Sequence, residues 1–329
     1  MNPLFSIIIP VFNVARELRR AVKSVQDQDF TEWEIVLVDD GSTAGSAELC
    51  NQLAAEDHRI KALHQINSGV VAARQRGFEV SHGVWIMFLD GDDALKSGCL
   101  HKIENVLKGK GADIVQFGYD TELANGKVSQ HPSMTTGMKI FEWVISHSSK
   151  TPLDILEMCI GNKCYKREIV SAAFADVGDV RIAHSEDGLF AFAAFLHADR
   201  LLFLPDIFYR YIMRGSSAVH KVNVHIVDEK QKFIDAMESL AQKSGRMTEE
   251  KIRCMIEFHA YQACCYIFLM LKRNNADAHQ IKQILLAVIK SRFYRMPNRE
   301  WHSIKRKCMR FLLAHPRTYT ALCLLGGVK

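Results

Sequence analysis

FSIIIPVFN, running from Phe5 to Asn13, is followed some twenty residues later by EIVLVDDGST, from Glu34 to Thr43. Each joins an apolar, β-branched run (Leu4 to Pro10, then Glu34 to Val38) to a polar or glycine-bearing turn and a helix-compatible segment. Continuous apolar runs of this length predict strands buried on both faces, the pattern of a parallel sheet. Val84 to Leu89 (VWIMFL) and Ile114 to Phe117 repeat the signal, with Ile60 to Leu63 as a shorter member. Helical segments are expected over Val14 to Gln26, Ser46 to Ala55, Val70 to Val80 and Leu100 to Leu107. Regular alternation of strand and helix predicts an α/β layer with a mostly parallel central sheet. On such a sheet a ligand sits at the carboxyl ends of the strands.

The polar residues at those ends carry the chemistry. FLDGDD, Phe88 to Asp93, delivers three carboxylates straight after a strand. Such a group suits Mg²⁺ or Mn²⁺, hard cations that take oxygen ligands and share them with phosphates. A tight acidic turn, with Gly91 supplying backbone freedom and the acids capping the next helix, explains the same residues. VDDGST, Val38 to Thr43, reads equally as ligand recognition or as a turn and helix cap. Glu186 to Leu196 (EDGLFAFAAFL) is a further helix, acidic at its start and apolar along its body.

Composition sets the outer bounds. The 329 residues are 48% apolar, enough for a full core in one or two domains. The net charge of +5 hides an asymmetry: residues 1–220 hold 22 basic and 28 acidic side chains, net −6, whereas residues 221–329 hold 20 and 9, net +11. The first region is expected to form the α/β domain. The second is expected to form three or four helices, because Ile252, Ile256, Ala260, Ala263, Ile267 and Leu271 share one helical face and Phe233, Met237 and Leu240 another. Residues 120–150 are polar, are broken by Gly126, Pro132 and Gly137, and read as a connection or an acceptor-side subregion. Nine cysteines form no ligand-like cluster, so neither a disulfide framework nor a zinc site is expected. The histidines lack an HExxH spacing, and no GxSxG elbow, GxGxxG turn or P-loop occurs. The short apolar run at the N-terminus lacks a cationic flank, and ALCLLGGV near the end falls well below the roughly 20 residues of a spanning helix. A cytoplasmic protein with at most peripheral membrane contact is expected.

Taken together and in order, FSIIIPVFN, EIVLVDDGST, NSGVVAARQRG, WIMFLDGDD and SEDGLF resemble the family 2 glycosyltransferases of the GT-A fold, in particular bacterial members that build capsule, exopolysaccharide or lipopolysaccharide. The resemblance runs from about residue 4 to 120 and returns between Gly161 and Gly215. It implies an inverting, metal-dependent hexosyl- or N-acetylhexosaminyltransferase that uses a UDP-sugar. By that resemblance Pro10, Phe12 and Asn13 lie on the first loop, with Phe12 near the nucleotide base, and Asp39 or Asp40 recognises uracil and ribose. Asp90, Gly91 and Asp92 match the family's DXD arrangement, Asp90 nearer the ribose and Asp92 carrying most of the metal contact. Asp93 is expected to organise that site or to touch the acceptor. Asn67, Gly69 and Arg74 match the intervening segment, although Gln75 stands where Asn is more usual; Arg74 is expected to pair with acids around the nucleotide or to brace the strand. Lys163, in GNKCYKRE, is expected near the acceptor or the diphosphate, or in an outward salt bridge. Arg210, with Arg214, Gly215, Ser216 and Ser217, forms an expected cover over the diphosphate. In SEDGLF the resemblance nominates Asp187 as general base and Glu186 as its neighbour.

Residues 291–329 hold nine Lys or Arg and one acid, Glu300, among aromatic and aliphatic side chains. A basic amphipathic segment of this kind suits the anionic inner face of a cell membrane, where a lipid-linked or oligosaccharide acceptor would be met. It suits equally a cationic surface folded on the protein. Nucleic acid is not an expected partner, since no reading motif is present and the first region is acidic. A catalytically silent scaffold or carbohydrate-binding relative is the alternative to an active transferase.

Overall fold

The structure is a computed structural model and describes residues 3–292 apart from 44, 110, 134, 148–151, 158, 179, 181, 183–184, 214–224 and 274–276. The chain begins β1 (Phe5–Val11), α1 (Ala15–Gln26), β2 (Trp33–Asp39), α2 (Ser46–Glu56), β3 (Ile60–His64), α3 (Val70–Val80) and β4 (Trp85–Phe88). It continues through β5 (Ala94–Leu95), α4 (Cys99–Leu107), β6 (Ile114–Glu122), β7 (Val128–His131), β8 (Gly137–Ile140), α5 (Phe141–His147) and α6 (Leu153–Leu156). Next come β9 (Lys163–Lys166), α7 (Arg167–Val177), α8 (Glu186–His197) and β10 (Arg200–Ile212). Three helices complete the described chain: α9 (Ile226–Ser244), α10 (Glu249–Arg273) and α11 (Ala278–Lys290).

Two compact units are present. One comprises Met1–His147, Ile155–Asp179 and Phe190–Arg214; the other comprises Ser148–Asp154, Val180–Leu189 and Gly215–Lys329. The second unit therefore takes in the short Val180–Leu189 segment as well as the chain beyond residue 220.

In the first unit one sheet runs in the order β3-β2-β1-β4-β9-β6-β10-β5. The strands β3, β2, β1 and β4 are parallel, as are β6 and β10. Antiparallel β9 is inserted between β4 and β6. Alternation across β2 sends Ile35 and Leu37 into a core shared with Leu18, Ala21, Val22 and Val25 of α1. Val36 and Val38 face the other way, onto Ala73 of α3. Helices thus cover both faces, which is why these strands read as unbroken apolar runs.

Residues 120–150 hold more regular structure than their sequence signals: β6 extends to Glu122, and β7, β8 and α5 follow. Strands β7 and β8 are largely exposed, so they carry no apolar run to announce them. The 13-residue β10 also went unpredicted, because Pro205 interrupts it and its register against β6 shifts between Phe203 and Ile207. In the second unit Ile252, Ile256, Ala260, Ala263, Ile267 and Leu271 are all buried on α10, and Phe233, Met237 and Leu240 on α9. Among the described residues no helix is long and apolar enough to cross a membrane, and the described cysteines are all free.

A buried polar knot fastens the sheet at the end away from the acidic turns. The Glu34 carboxylate accepts from Ser6 Oγ (2.7 Å), Lys61 Nζ (2.8 Å) and the His82 and Gly83 N–H groups. Burial alone would raise the Glu34 pKa, but the Lys61, Ser6 and His82 hydrogen bonds outweigh it and hold it below the usual carboxylate value. A folded value below the unfolded one gives stabilisation that is present above about pH 4.3 and lost as pH falls through the folded value. Glu34→Gln is therefore expected to cost about 1–3 kcal/mol at pH 7 and much less near pH 3, measured by urea unfolding at both pH values. A Cβ on Gly83 would lie 2.5 Å from both Ser6 N and Ser6 Oγ, so Gly83→Ala is expected to lower stability by about 1–3 kcal/mol through overpacking.

Candidate functional site

The carboxyl ends of β2, β1 and β4 lie side by side. Val11 stands opposite Asp39 and Ile8 opposite Phe88. The ladders continue one bond into the turns, with Asp40 N–H donating to the Val11 carbonyl (2.8 Å) and Leu89 N–H to Ile8 (3.0 Å). Three loops are thereby gathered in the first unit, beginning at Phe12, Asp40 and Asp90.

The first two loops are tied by side chains. Asn13 adopts the left-handed region at φ 55°, which Asn tolerates better than most residues. Its amide oxygen accepts from Thr43 N–H (2.9 Å), and its own N–H donates to Ser42 Oγ (3.1 Å). Phe12 is left 50% exposed. Asp39 accepts from Ser42 N–H (3.1 Å) and lies 3.2 Å from His64 Nδ1, while His64 Nε2 is 2.9 Å from Asn51 Oδ1. Buried Asp40 clamps the loop after β3, accepting from Gln65 Nε2 (2.8 Å), Ser68 N–H (2.8 Å) and Gly69 N–H (2.9 Å). Gly41, at φ 72°, lets the Asn67 backbone approach so closely that a Cβ would meet its nitrogen at 2.8 Å.

The acidic turn divides its labour. Asp90, partly exposed, accepts from Arg74 Nη2 at 2.9 Å, so the buried arginine pairs with an acid of the site. Asp92 is half-buried, and its carbonyl accepts from Arg20 Nη2 (2.6 Å). Asp93 is 1% exposed; it accepts from Tyr209 Oη (2.5 Å) and Ile212 N–H (2.9 Å), which fixes it as an internal anchor to β10 and removes it from contact with an acceptor. Burial, reinforced by the negative Asp90, pushes the Asp93 pKa up to about 8. A proton on Asp93 would relieve the repulsion that three adjacent carboxylates otherwise suffer. Gly91 is needed for close approach: it does not take a positive φ, and a Cβ there would lie 2.9 Å from Val14 Cγ2 and 3.2 Å from the Pro10 carbonyl. Arg210 is paired across the sheet with Ala94, just beyond the turn. Its guanidinium binds Asp120 (3.1 and 3.2 Å), which also holds Lys96 Nζ (3.1 Å).

Lys163 lies in the interior. It is 1% exposed, and its ammonium donates to the carbonyls of Glu157 (3.3 Å) and Cys159 (2.6 Å) and to Asn162 Oδ1 (2.7 Å). Its ammonium is thus enclosed by protein oxygens. The neighbouring Gly161 packs so closely on Tyr209 that a Cβ would meet the ring at 2.4 Å, which makes this segment a brace for the tyrosine that holds Asp93. Glu186 and Asp187 open α8 in the second unit, both half-buried. The expected cover at Arg214, Gly215, Ser216 and Ser217, and residues 293–329, lie outside the described residues.

The donor set fits a divalent cation that brings its own partners. Asp90 and Asp92 offer hard carboxylate oxygens, while among the described residues no three His, Cys, Asp or Glu side chains form a complete cage. Two carboxylates plus diphosphate oxygens make a normal environment for Mg²⁺ or Mn²⁺. Sequence reading missed His64, Gln65, Ser68 and Tyr209. Of these, Ser68 lay within the quoted NSGVVAARQRG stretch and Tyr209 beside Arg210, where other residues of each segment drew attention.

The chain resembles known proteins. Residues 6–174, half of the chain, match the family described as Glycosyl transferase family 2. The uncharacterized glycosyltransferase EpsJ of Bacillus subtilis is 30% identical over 222 residues, 64% of this chain and 61% of that one. TuaG of the same organism, a putative teichuronic acid biosynthesis glycosyltransferase, is 38% identical over 102 residues, 31% of this chain and 40% of that one. The chain thus spans less than two thirds of the length of either relative. The crystal structure of S. aureus TarS 1-349 in complex with UDP-GlcNAc superposes with a TM-score of 0.65 at 18% identity, covering 99% of this chain and 92% of that one, a likeness of fold.

The clamp around Asp40 can be tested directly. Asp40→Ala leaves the Ser68 and Gly69 N–H groups without their acceptor and is expected to lower stability by about 1–3 kcal/mol, read by urea unfolding, with faster proteolysis within residues 64–69. The convergence of β1, β2 and β4 on an acidic turn, together with the match over residues 6–174, places this chain in glycosyl transferase family 2.

Proposed function

We propose that the protein is an inverting glycosyltransferase that moves a hexosyl or N-acetylhexosaminyl group from a UDP-sugar to a hydroxyl of a lipid-linked or oligosaccharide acceptor, in synthesis of a bacterial surface polysaccharide. The observation that carries this reading is the gathering of Phe12, Asp39 and the Asp90–Asp92 turn at adjacent strand ends, where α/β sheets bind ligands. The UDP-GlcNAc held by TarS and the teichuronic acid assignment of TuaG support the donor and the pathway class.

Phe12 offers an exposed ring for stacking on the uracil, and Asp39, oriented by Ser42 and His64, lies beside it on the neighbouring loop. Asp90 and Asp92 would hold Mg²⁺ or Mn²⁺, which neutralises charge on the departing diphosphate. Arg74 pairs with Asp90 and fixes its direction. The Asp187 carboxylate accepts the proton of the acceptor hydroxyl as its oxygen bonds to the anomeric carbon; the bond from that carbon to the diphosphate breaks, and UDP leaves with the electron pair. One displacement inverts the configuration. The +11 charge of residues 221–329 suits work at the inner membrane surface.

The test is transfer from UDP-glucose, UDP-galactose and their N-acetylated counterparts to extracted lipid-linked oligosaccharides. Asp92→Ala and Asp187→Ala are each expected to reduce transfer by about 10²- to 10⁴-fold, with UDP binding retained in Asp187→Ala by calorimetry. Turnover at the original rate in Asp187→Ala would remove it as the base. Turnover that is indifferent to chelation of divalent cations would remove the metal.

A further inference from the structure

The residue before the acidic pair is conformationally unusual. Ser185 takes the left-handed region at φ 75°, which residues with a Cβ rarely occupy unless their surroundings impose it. Its carbonyl accepts the Leu189 N–H (3.0 Å), so Ser185 begins α8, and its backbone sets the direction in which Glu186 and Asp187 leave the turn.

A group that can impose this geometry comes from α9. Lys230 Nζ donates to Ser185 Oγ at 2.7 Å and stands 4.6 Å from the centre of the Tyr266 ring of α10. Its ammonium is thus held between the serine and an aromatic face, a favourable place for a cation. Burial draws its pKa down to about 8, opposed by the negative charge of Glu186. Keeping a lysine here costs desolvation, and a surface salt bridge would not need that cost. All these residues belong to the second unit.

We propose that Lys230 is a positioning residue for the acid pair: through Ser185 it fixes the turn that presents Glu186 and Asp187, so that the helices beyond residue 220 complete the acceptor-side chemistry. The proposal rests on the reading of Asp187 as general base. Positioning matters at this scale because a displacement of about 1 Å at a reacting group can cost about 10²-fold in rate.

The experiment follows UDP release by the full chain with whichever of UDP-glucose, UDP-galactose, UDP-GlcNAc and UDP-GalNAc the wild type turns over. Lys230→Met is expected to lower kcat by about 10- to 100-fold with the donor KM changed less than about threefold. Lys230→Arg, which can still donate to Ser185, is expected to recover most of the loss. Ser185→Ala removes the acceptor oxygen and is expected to reproduce the kcat loss, and the double variant is expected to be no worse than the more impaired single one. Should Lys230→Met fail to fold, as read by thermal melting, Ser185→Ala decides. Wild-type kcat in Lys230→Met or Ser185→Ala, or losses that multiply in the double variant, overturns the proposal while leaving the base in place if Asp187→Ala is inactive. Full activity in Asp187→Ala, or no wild-type turnover of any of the four donors, overturns the underlying reading and the proposal with it.

Discussion

Strand β1 has a parallel neighbour on each edge, and the register of those two ladders governs the site. Both faces of the strand are covered, so its residues cannot slip by one position without sending Ile7 and Ile9 to the opposite layer. With that register fixed, the ladders end together, and the turns at Phe12, Asp40 and Asp90 are delivered to one edge. The glycines at 41 and 91 then allow the loops to close to backbone distance. Nothing about the acidic turn would be meaningful without the apolar strands behind it.

Charge is managed by dividing roles among like residues. Six aspartates lie along this edge of the first unit, and their environments separate them. Asp40 binds backbone N–H groups, Asp93 is driven toward neutrality by burial, and Asp90 is paired with Arg74. Burial pushes Asp120 upward, but Arg210 and Lys96 outweigh it and hold its pKa below the usual range. What faces outward is therefore a smaller negative charge than the sequence count suggests, concentrated on Asp90 and Asp92. Unrelieved repulsion among these carboxylates would loosen the turn.

The helices of the second unit invite a similar reading. Their apolar faces were plain from spacing alone, but their bearing on Ser185 and Glu186 was not. A lysine on α9 reaches this turn and lies over a tyrosine of α10, and the two are 36 positions apart in sequence. The region beyond residue 220 thereby gains a chemical connection to the acidic pair that charge counting had not suggested.

The parallel strands, the helices between them, the acids at the strand ends and the buried faces of α9 and α10 were all legible from the amino acids in order. Each of these rests on a period of 2 or 3.6 residues, or on a turn of a few positions, and such signals are local. The insertion of antiparallel β9, the long β10 across Pro205, the enclosure of Lys163 and the bond from Tyr209 to Asp93 were not legible. They depend on pairings between segments far apart in the chain: Tyr209 and Asp93 are separated by 116 residues. Residue type says that an aspartate can hold a metal, accept a proton or clamp a loop; which of these it does follows from how much water and which partners the folded chain leaves around it.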